Sequence, residues 1–271
     1  MTSYTNRDFA FDGVPVHCIA GGAGFPILLV HGSGPGAATA GIWRHVLEPL
    51  AERYHVHAMD LIGFGASGRR AAPPYFDIDF WLGQCRAAIA RMPAGPIGIV
   101  GHSVSGALAL KLAAAEPRVA KVMTTGSMGA RFEINDATRI CWTFPTDRDA
   151  LVRMGKAITY DVSGITDAWI AQREKTLFED RQYGPYFSKM FEGDLQRYAD
   201  LAIVAEDELS RIECPVTMMH GREDEPFPPA LSLALANRLP QADVVLLARC
   251  SHSVALEWPD KFLAAARLLF G

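Results

Sequence analysis

The sequence predicts an α/β architecture: a mostly parallel central sheet flanked by helices, with a helical lid inserted late in the chain. Three observations carry this. Continuous apolar runs such as Pro26-Ile27-Leu28-Leu29-Val30 recur between helical stretches, as expected of strands buried on both faces. One such run, Ile97 to Val100, stops at Gly101 and passes almost directly into the alanine-rich helical run Ala107 to Ala113. The alternation ceases from about 128 to 210 and resumes at Val216.

Taken in order, Phe9 to Phe11 and Val14 to Ile19, split by Asp12-Gly13, read as an antiparallel hairpin. Pro26 to Val30 is the first buried strand, followed by the glycine-rich His31-Gly32-Ser33-Gly34-Pro35-Gly36. A helix is expected from about Ile42 to Arg53, a strand over His55 to Met59, and a helix over Asp77 to Met92 with Asp77 as N-cap. Val119 to Thr124 reads as a strand. The span 128–210 reads as helix rich in aromatic residues, Trp142 and Phe144 among them. Val216 to His220 and Val244 to Leu247 resume strand character, with helices at Pro229 to Leu239 and Trp258 to Phe270. The expected organisation is a core of 1–127 and 211–271 with a lid of 128–210.

Composition narrows the partners. Apolar residues make up 49% of the 271 positions, enough for a buried core. The formal net charge of −4, with no long run of one sign, argues against nucleic acid or an anionic membrane as partner. No apolar stretch approaches the ~20 residues that cross a bilayer, and Met1 to Phe11 lacks a signal-peptide apolar core. Cys18, Cys85, Cys141, Cys214 and Cys250 are scattered and form no CxxC pair. Neither a disulfide framework nor a zinc site is expected, and a cytoplasmic location fits. A homo-oligomer stays open.

Two glycine loops need weighing as nucleotide sites. Gly63-Phe64-Gly65-Ala66-Ser67-Gly68 spells G-x-G-x-x-G after a strand, but Pro73-Pro74 follows where the pyrophosphate-binding helix would have to start. Gly32 to Gly36 lacks the Lys-Ser/Thr of a phosphate-binding loop. No cofactor is expected.

The tight turn at Gly101-His102-Ser103-Val104-Ser105 places a lone serine between strand and helix, on backbone held in a strained conformation. A serine hydroxyl becomes a nucleophile only when a base takes its proton and an acid orients that base. The best-placed acid is Asp224, after the strand ending at His220, with Glu223 and Glu225 as alternatives. The best base is His252, after the strand ending at Leu247. His31, His102 and His220 also sit at strand ends, where a backbone or supporting role is more natural. The oxyanion formed on attack needs two N–H donors, expected from Val104 and from Ser33.

These residues resemble the α/β-hydrolases along the whole chain, through HGSGPG at 31–36, DLIGFGASG at 60–68, GHSVSG at 101–106, GREDEP at 221–226 and SHS at 251–253. Within that superfamily, HGSGPGA is similar to the meta-cleavage product hydrolases, which split a C–C bond in vinylogous 1,5-diketone acids. The resemblance implies a cofactor-free serine hydrolase and gives Arg173, in Ala171-Gln172-Arg173, the substrate carboxylate. Gly32, Gly34, His102, Trp142, Phe144 and Ser253 are the further candidate substrate contacts. The chain departs from that family at His102 and Ser105, where its elbow reads GNSxGG, at Ser253, where tryptophan follows the histidine, and at Ile42, where an asparagine is expected. A carboxylesterase or lactonase on a small apolar ester is the alternative. A hydrolase-fold receptor with an inert triad is a third reading.

Overall fold

A computed structural model describes residues 4–271; Met1 to Ser3, the start of the polar N-terminal stretch, lie outside the described residues. The strands are β1 (Thr5–Asn6), β2 (Phe9–Phe11), β3 (Val14–Val16), β4 (Cys18–Gly21), β5 (Phe25–Val30), β6 (Tyr54–Met59), β7 (Ile97–His102), β8 (Val119–Thr125), β9 (Val216–Gly221) and β10 (Ala242–Leu247). Eight form one sheet in the order β1-β4-β6-β5-β7-β8-β9-β10. The β1–β4 and β4–β6 pairs are antiparallel, and every pair from β6 to β10 is parallel. The β2–β3 hairpin stands apart.

The apolar runs follow from burial on both faces. In β5, Leu28 and Val30 point into one core with Trp81 and Leu108, while Ile27 and Leu29 point into a second with Trp43, Phe262 and Phe270. The helix Ile78–Ile89 starts where expected, the Asp77 carboxylate accepting the Phe80 N–H at 3.0 Å. Between β8 and β9 the chain forms a helical insertion running from Asp136–Cys141 to Glu206–Leu209, with no strand among the described residues. No helix of the described residues is long and apolar enough to cross a membrane.

Two elements differ from expectation. The second hairpin arm breaks at His17, because the Asp8 carboxylate accepts the Cys18 N–H at 3.0 Å and lies 2.9 Å from His17 Nδ1, turning the chain from the hairpin into the main sheet. The helix expected over Ile42 to Arg53 is instead Thr39–Ile42 and Leu47–Ala51, joined by a turn. Pro49 has no N–H for the carbonyl of residue 45, so a helix can begin just before it but not run through it.

Candidate active site

The turn after β7 carries Ser103 with φ of 59° and ψ of −123°, in the left-handed half of backbone space that a side chain rarely enters. Its backbone is pinned on both sides: Ser103 N–H donates to Thr125 O at 2.9 Å and Met128 N–H donates to Ser103 O at 3.1 Å. Strand and helix nearly touch here, since a Cβ on Gly101 would lie 2.0 Å from Ser105 O. Ser105, where the motif has glycine, fits because its hydroxyl donates to the His31 carbonyl and ties the turn to the loop after β5.

Behind the serine stand the loops after β9 and β10. His252 Nδ1 lies 2.8 Å from Asp224 Oδ2, and both residues are buried. Asp224 also accepts the Phe227 N–H at 3.0 Å and lies 3.2 Å from His220 Nε2. His220 is held by the Ser232 hydroxyl at 2.7 Å and the Phe227 carbonyl at 2.8 Å. Burial pushes the Asp224 carboxyl up, but the two imidazoles outweigh it and hold the group at about 2. Of the alternative acids, Glu223 accepts the Cys250 N–H at 3.1 Å and Glu225 is exposed. No hydrogen bond joins the Ser103 hydroxyl to His252 in this structure. Such bonds are often long until substrate is bound.

Val104 opens the helix Val104–Ala115, so its N–H has no acceptor within that helix. Ser33 is buried in the loop after β5, and its hydroxyl has no partner among the described residues. Ser33, Ser103 and His252 all face one cavity of about 660 Å³. Gly32, Gly34, His102, Trp142, Arg173 and Ser253 line it too. Space at Gly32 is tight, for a Cβ there would meet Ser103 Cβ at 2.8 Å. His102 is turned by its Nδ1, 3.1 Å from Thr125 O, and burial, with His252 beside it, holds this imidazole well below the ordinary histidine range. Trp142 stacks on Phe191 at 5.4 Å and presents its other edge to the cavity.

Phe144 is a correction, for it does not line the cavity. Its ring packs between Phe178, Tyr183 and Phe187, at 6.0, 5.8 and 6.1 Å, inside the insertion's own apolar core. Arg173 faces the cavity with its guanidinium on the carbonyls of Pro35 (2.6 Å) and Gly36 (3.4 Å). Three participants were not anticipated. Arg44 lines the cavity, with its Nη1 on Gly41 O at 2.8 Å. Tyr183 accepts the Gly36 N–H at 2.9 Å. Glu257 accepts both the Tyr160 N–H at 2.7 Å and the Ser251 N–H at 3.0 Å, joining the insertion to the histidine loop. None belongs to a motif, and only the fold brings them to the site. Among the described residues no group of three His, Cys, Asp or Glu side chains is placed to hold a metal ion.

Comparison with known proteins bears on this geometry. Residues 27–265 match the model of the Alpha/beta hydrolase family. The 2-hydroxymuconate semialdehyde hydrolase of Pseudomonas sp. (strain CF600) is 29% identical over 257 residues, spanning 94% of this chain and 90% of that one. The pimeloyl-[acyl-carrier protein] methyl ester esterase of Nitrosomonas europaea is 27% identical, over 92% of this chain and 97% of the other. The solved structure of the meta-cleavage product hydrolase from Pseudomonas fluorescens IP01 superposes with a TM-score of 0.91 at 26% identity, covering 96% and 95% of the two chains.

Proposed function

This chain belongs to the alpha/beta hydrolase family, and from that premise we propose that it is a cofactor-independent serine hydrolase that cleaves a C–C bond in vinylogous 1,5-diketone acids of the meta-cleavage type. Ser103 is the nucleophile, His252 the general base and acid, and Asp224 the group that orients the imidazole. The observation that carries the reading is the 2.8 Å His252–Asp224 contact, buried at the floor of the cavity that Ser103 enters from its strained turn.

With Nδ1–H donated to Asp224, His252 presents Nε2 as a proton acceptor. The Ser103 hydroxyl gives its proton to Nε2 as the oxygen attacks the substrate ketone. The Ser33 and Val104 N–H groups receive the oxyanion, each such donor lowering the barrier by ~3–4 kcal/mol. Collapse breaks the C–C bond of the diketone form, the released electron pair passes along the conjugated chain onto the far ketone oxygen, and the dienolate takes the proton back from His252. Water, deprotonated by the same imidazole, then hydrolyses the ester on Ser103. Arg173 holds the substrate carboxylate, a planar acid group suited to a guanidinium. The insertion acts as a lid whose Trp142, Met154 and Trp169 supply apolar wall.

The test is an activity panel of a 2-hydroxydienone acid, short esters and lactones, with Arg173→Ala alongside. The C–C reading expects turnover of the dienone, with about 10–100-fold lost in kcat/KM on Arg173→Ala through a charge-assisted contact. Turnover of p-nitrophenyl acetate with none of the dienone would instead favour the esterase reading. That reading draws on Ser253 and His102 standing where the C–C hydrolase pattern has tryptophan and asparagine.

A further inference from the structure

The charged side chains facing the cavity do not balance. Five of them are acids or arginines: Asp161, Glu257, Arg44, Arg173 and Arg249. Both acids are engaged. Glu257 accepts two backbone N–H groups, as above, and Asp161 accepts the Ser163 N–H at 3.0 Å with the Arg249 charge beside it. Arg44 and Arg173 form no ion pair with any acid among the described residues. Each is steadied by backbone carbonyls, Arg173 by Pro35 and Gly36 in the loop after β5 and Arg44 by Gly41 in the short helix that follows it. Those carbonyls fix direction but cancel no charge. Two guanidiniums therefore line one cavity, Arg173 from the insertion helix Asp167–Phe178 and Arg44 from the turn after the helix Thr39–Ile42, with Ile42 also in the wall. Burial lowers Arg173 from the usual arginine range, and the Arg44 charge lowers it further, so the two cations feel each other. Arg44 is exposed and Arg173 half-buried, and an anion entering the cavity would pair with both.

We propose that Arg44 is a second specificity-determining cation of this site, forming with Arg173 a two-guanidinium subsite for the acid end of the substrate. This rests on the reading that Arg173 takes a carboxylate. An acid head with neighbouring oxygens, such as the carboxylate and 2-hydroxyl of a 2-hydroxydienoate, gives acceptors to both arginines. Ten N–H donors stand on two guanidiniums, five on each, and the carbonyls occupy few of them.

The experiment uses the full chain with Arg44→Met, Arg44→Lys and Arg173→Met, each checked for folding by thermal unfolding. KM and kcat are measured on a 2-hydroxydienone acid and on neutral p-nitrophenyl acetate, and benzoate affinity is measured by titration calorimetry, independent of turnover. The expected result is that Arg44→Met raises the acid KM about 10-fold relative to the ester KM. Its effect on kcat is smaller, benzoate binding weakens in parallel, and Arg44→Lys restores most of the affinity. If Arg173→Met weakens acid and benzoate binding while Arg44→Met does not, the two-cation subsite is refuted and the carboxylate role of Arg173 stands. If Arg173→Met leaves both unchanged, the carboxylate reading falls, and the subsite with it. An equal loss on acid and neutral ester in Arg44→Met makes the residue structural and also overturns the proposal.

Discussion

Replacing Asp224 by asparagine tests the orienting role most sharply, because the structure says which of its contacts survive. The Oδ1 atom can go on accepting the Phe227 N–H, now at 3.0 Å. The Oδ2 atom faces His252 Nδ1 at 2.8 Å and His220 Nε2 at 3.2 Å, and an amide NH₂ there would set donor against donor. His252 can escape only by moving its proton from Nδ1 to Nε2, which leaves a donor, not an acceptor, toward Ser103. The wrong tautomer lowers kcat by about 10³–10⁴, or ~4–5.5 kcal/mol of transition-state stabilisation. His220 keeps Phe227 O and Ser232, so the fold should lose only ~1–3 kcal/mol. The assay is initial-rate kinetics on the best substrate of the panel, with thermal unfolding in parallel. A variant that melts within ~10 °C of the parent and keeps kcat within about tenfold would refute the assignment of Asp224.

The remaining expectations are quicker to state. Ser103→Ala abolishes turnover and labelling by a fluorophosphonate while the protein still folds. Asp224 is near 2 when folded against ~3.9 when unfolded, so the stability it lends is present above about pH 4 and is lost as pH falls toward 2. Urea titrations should therefore show the gap between wild type and Asp224→Asn narrowing across that window. Gly101→Ala forces a methyl to 2.0 Å from Ser105 O and should yield little folded protein, whereas Gly34→Ala, with no atom within 4 Å of the new methyl, should fold normally by circular dichroism. Phe144→Leu should lower Tm, by ~1–3 kcal/mol of lost packing, yet leave the ratio of kcat/KM between two substrates unchanged.

What could be read from the chain alone was what local chemistry dictates. The turn at Ser103 announces itself because only small residues fit where backbone crosses backbone, and strand ends announce themselves where apolar runs stop. Asp224 and His252 follow from that, since each lies just past such an end. The G-x-G-x-x-G loop shows the limit of spelling: a Cβ on Gly65 would lie 2.0 Å from Asp60 Oδ2, and that carboxylate accepts the Thr39 and Ala66 N–H groups at 2.7 and 2.8 Å. Gly65 makes room for a protein acid, while Gly63 and Gly68 face side chains of Met190 and Tyr186 and of Val14 and Pro15. Phe144 lies in the loop between the helices Asp136–Cys141 and Arg148–Ile158, where composition does not distinguish an aromatic that faces a ligand from one that faces a neighbouring helix. Arg44 is illegible in the sequence for a related reason: it follows a helix that ends early, and its direction depends on that turn.

The contacts of Arg173 and Tyr183 with the backbone at 35 and 36 have a mechanical meaning. Roof and floor are riveted at the segment that begins at Ser33, so raising the roof loosens the amide expected to meet the developing charge. Anyone grafting a different roof onto this scaffold to change its diet should transplant residues 33–44 with it, because the rivets belong to both parts.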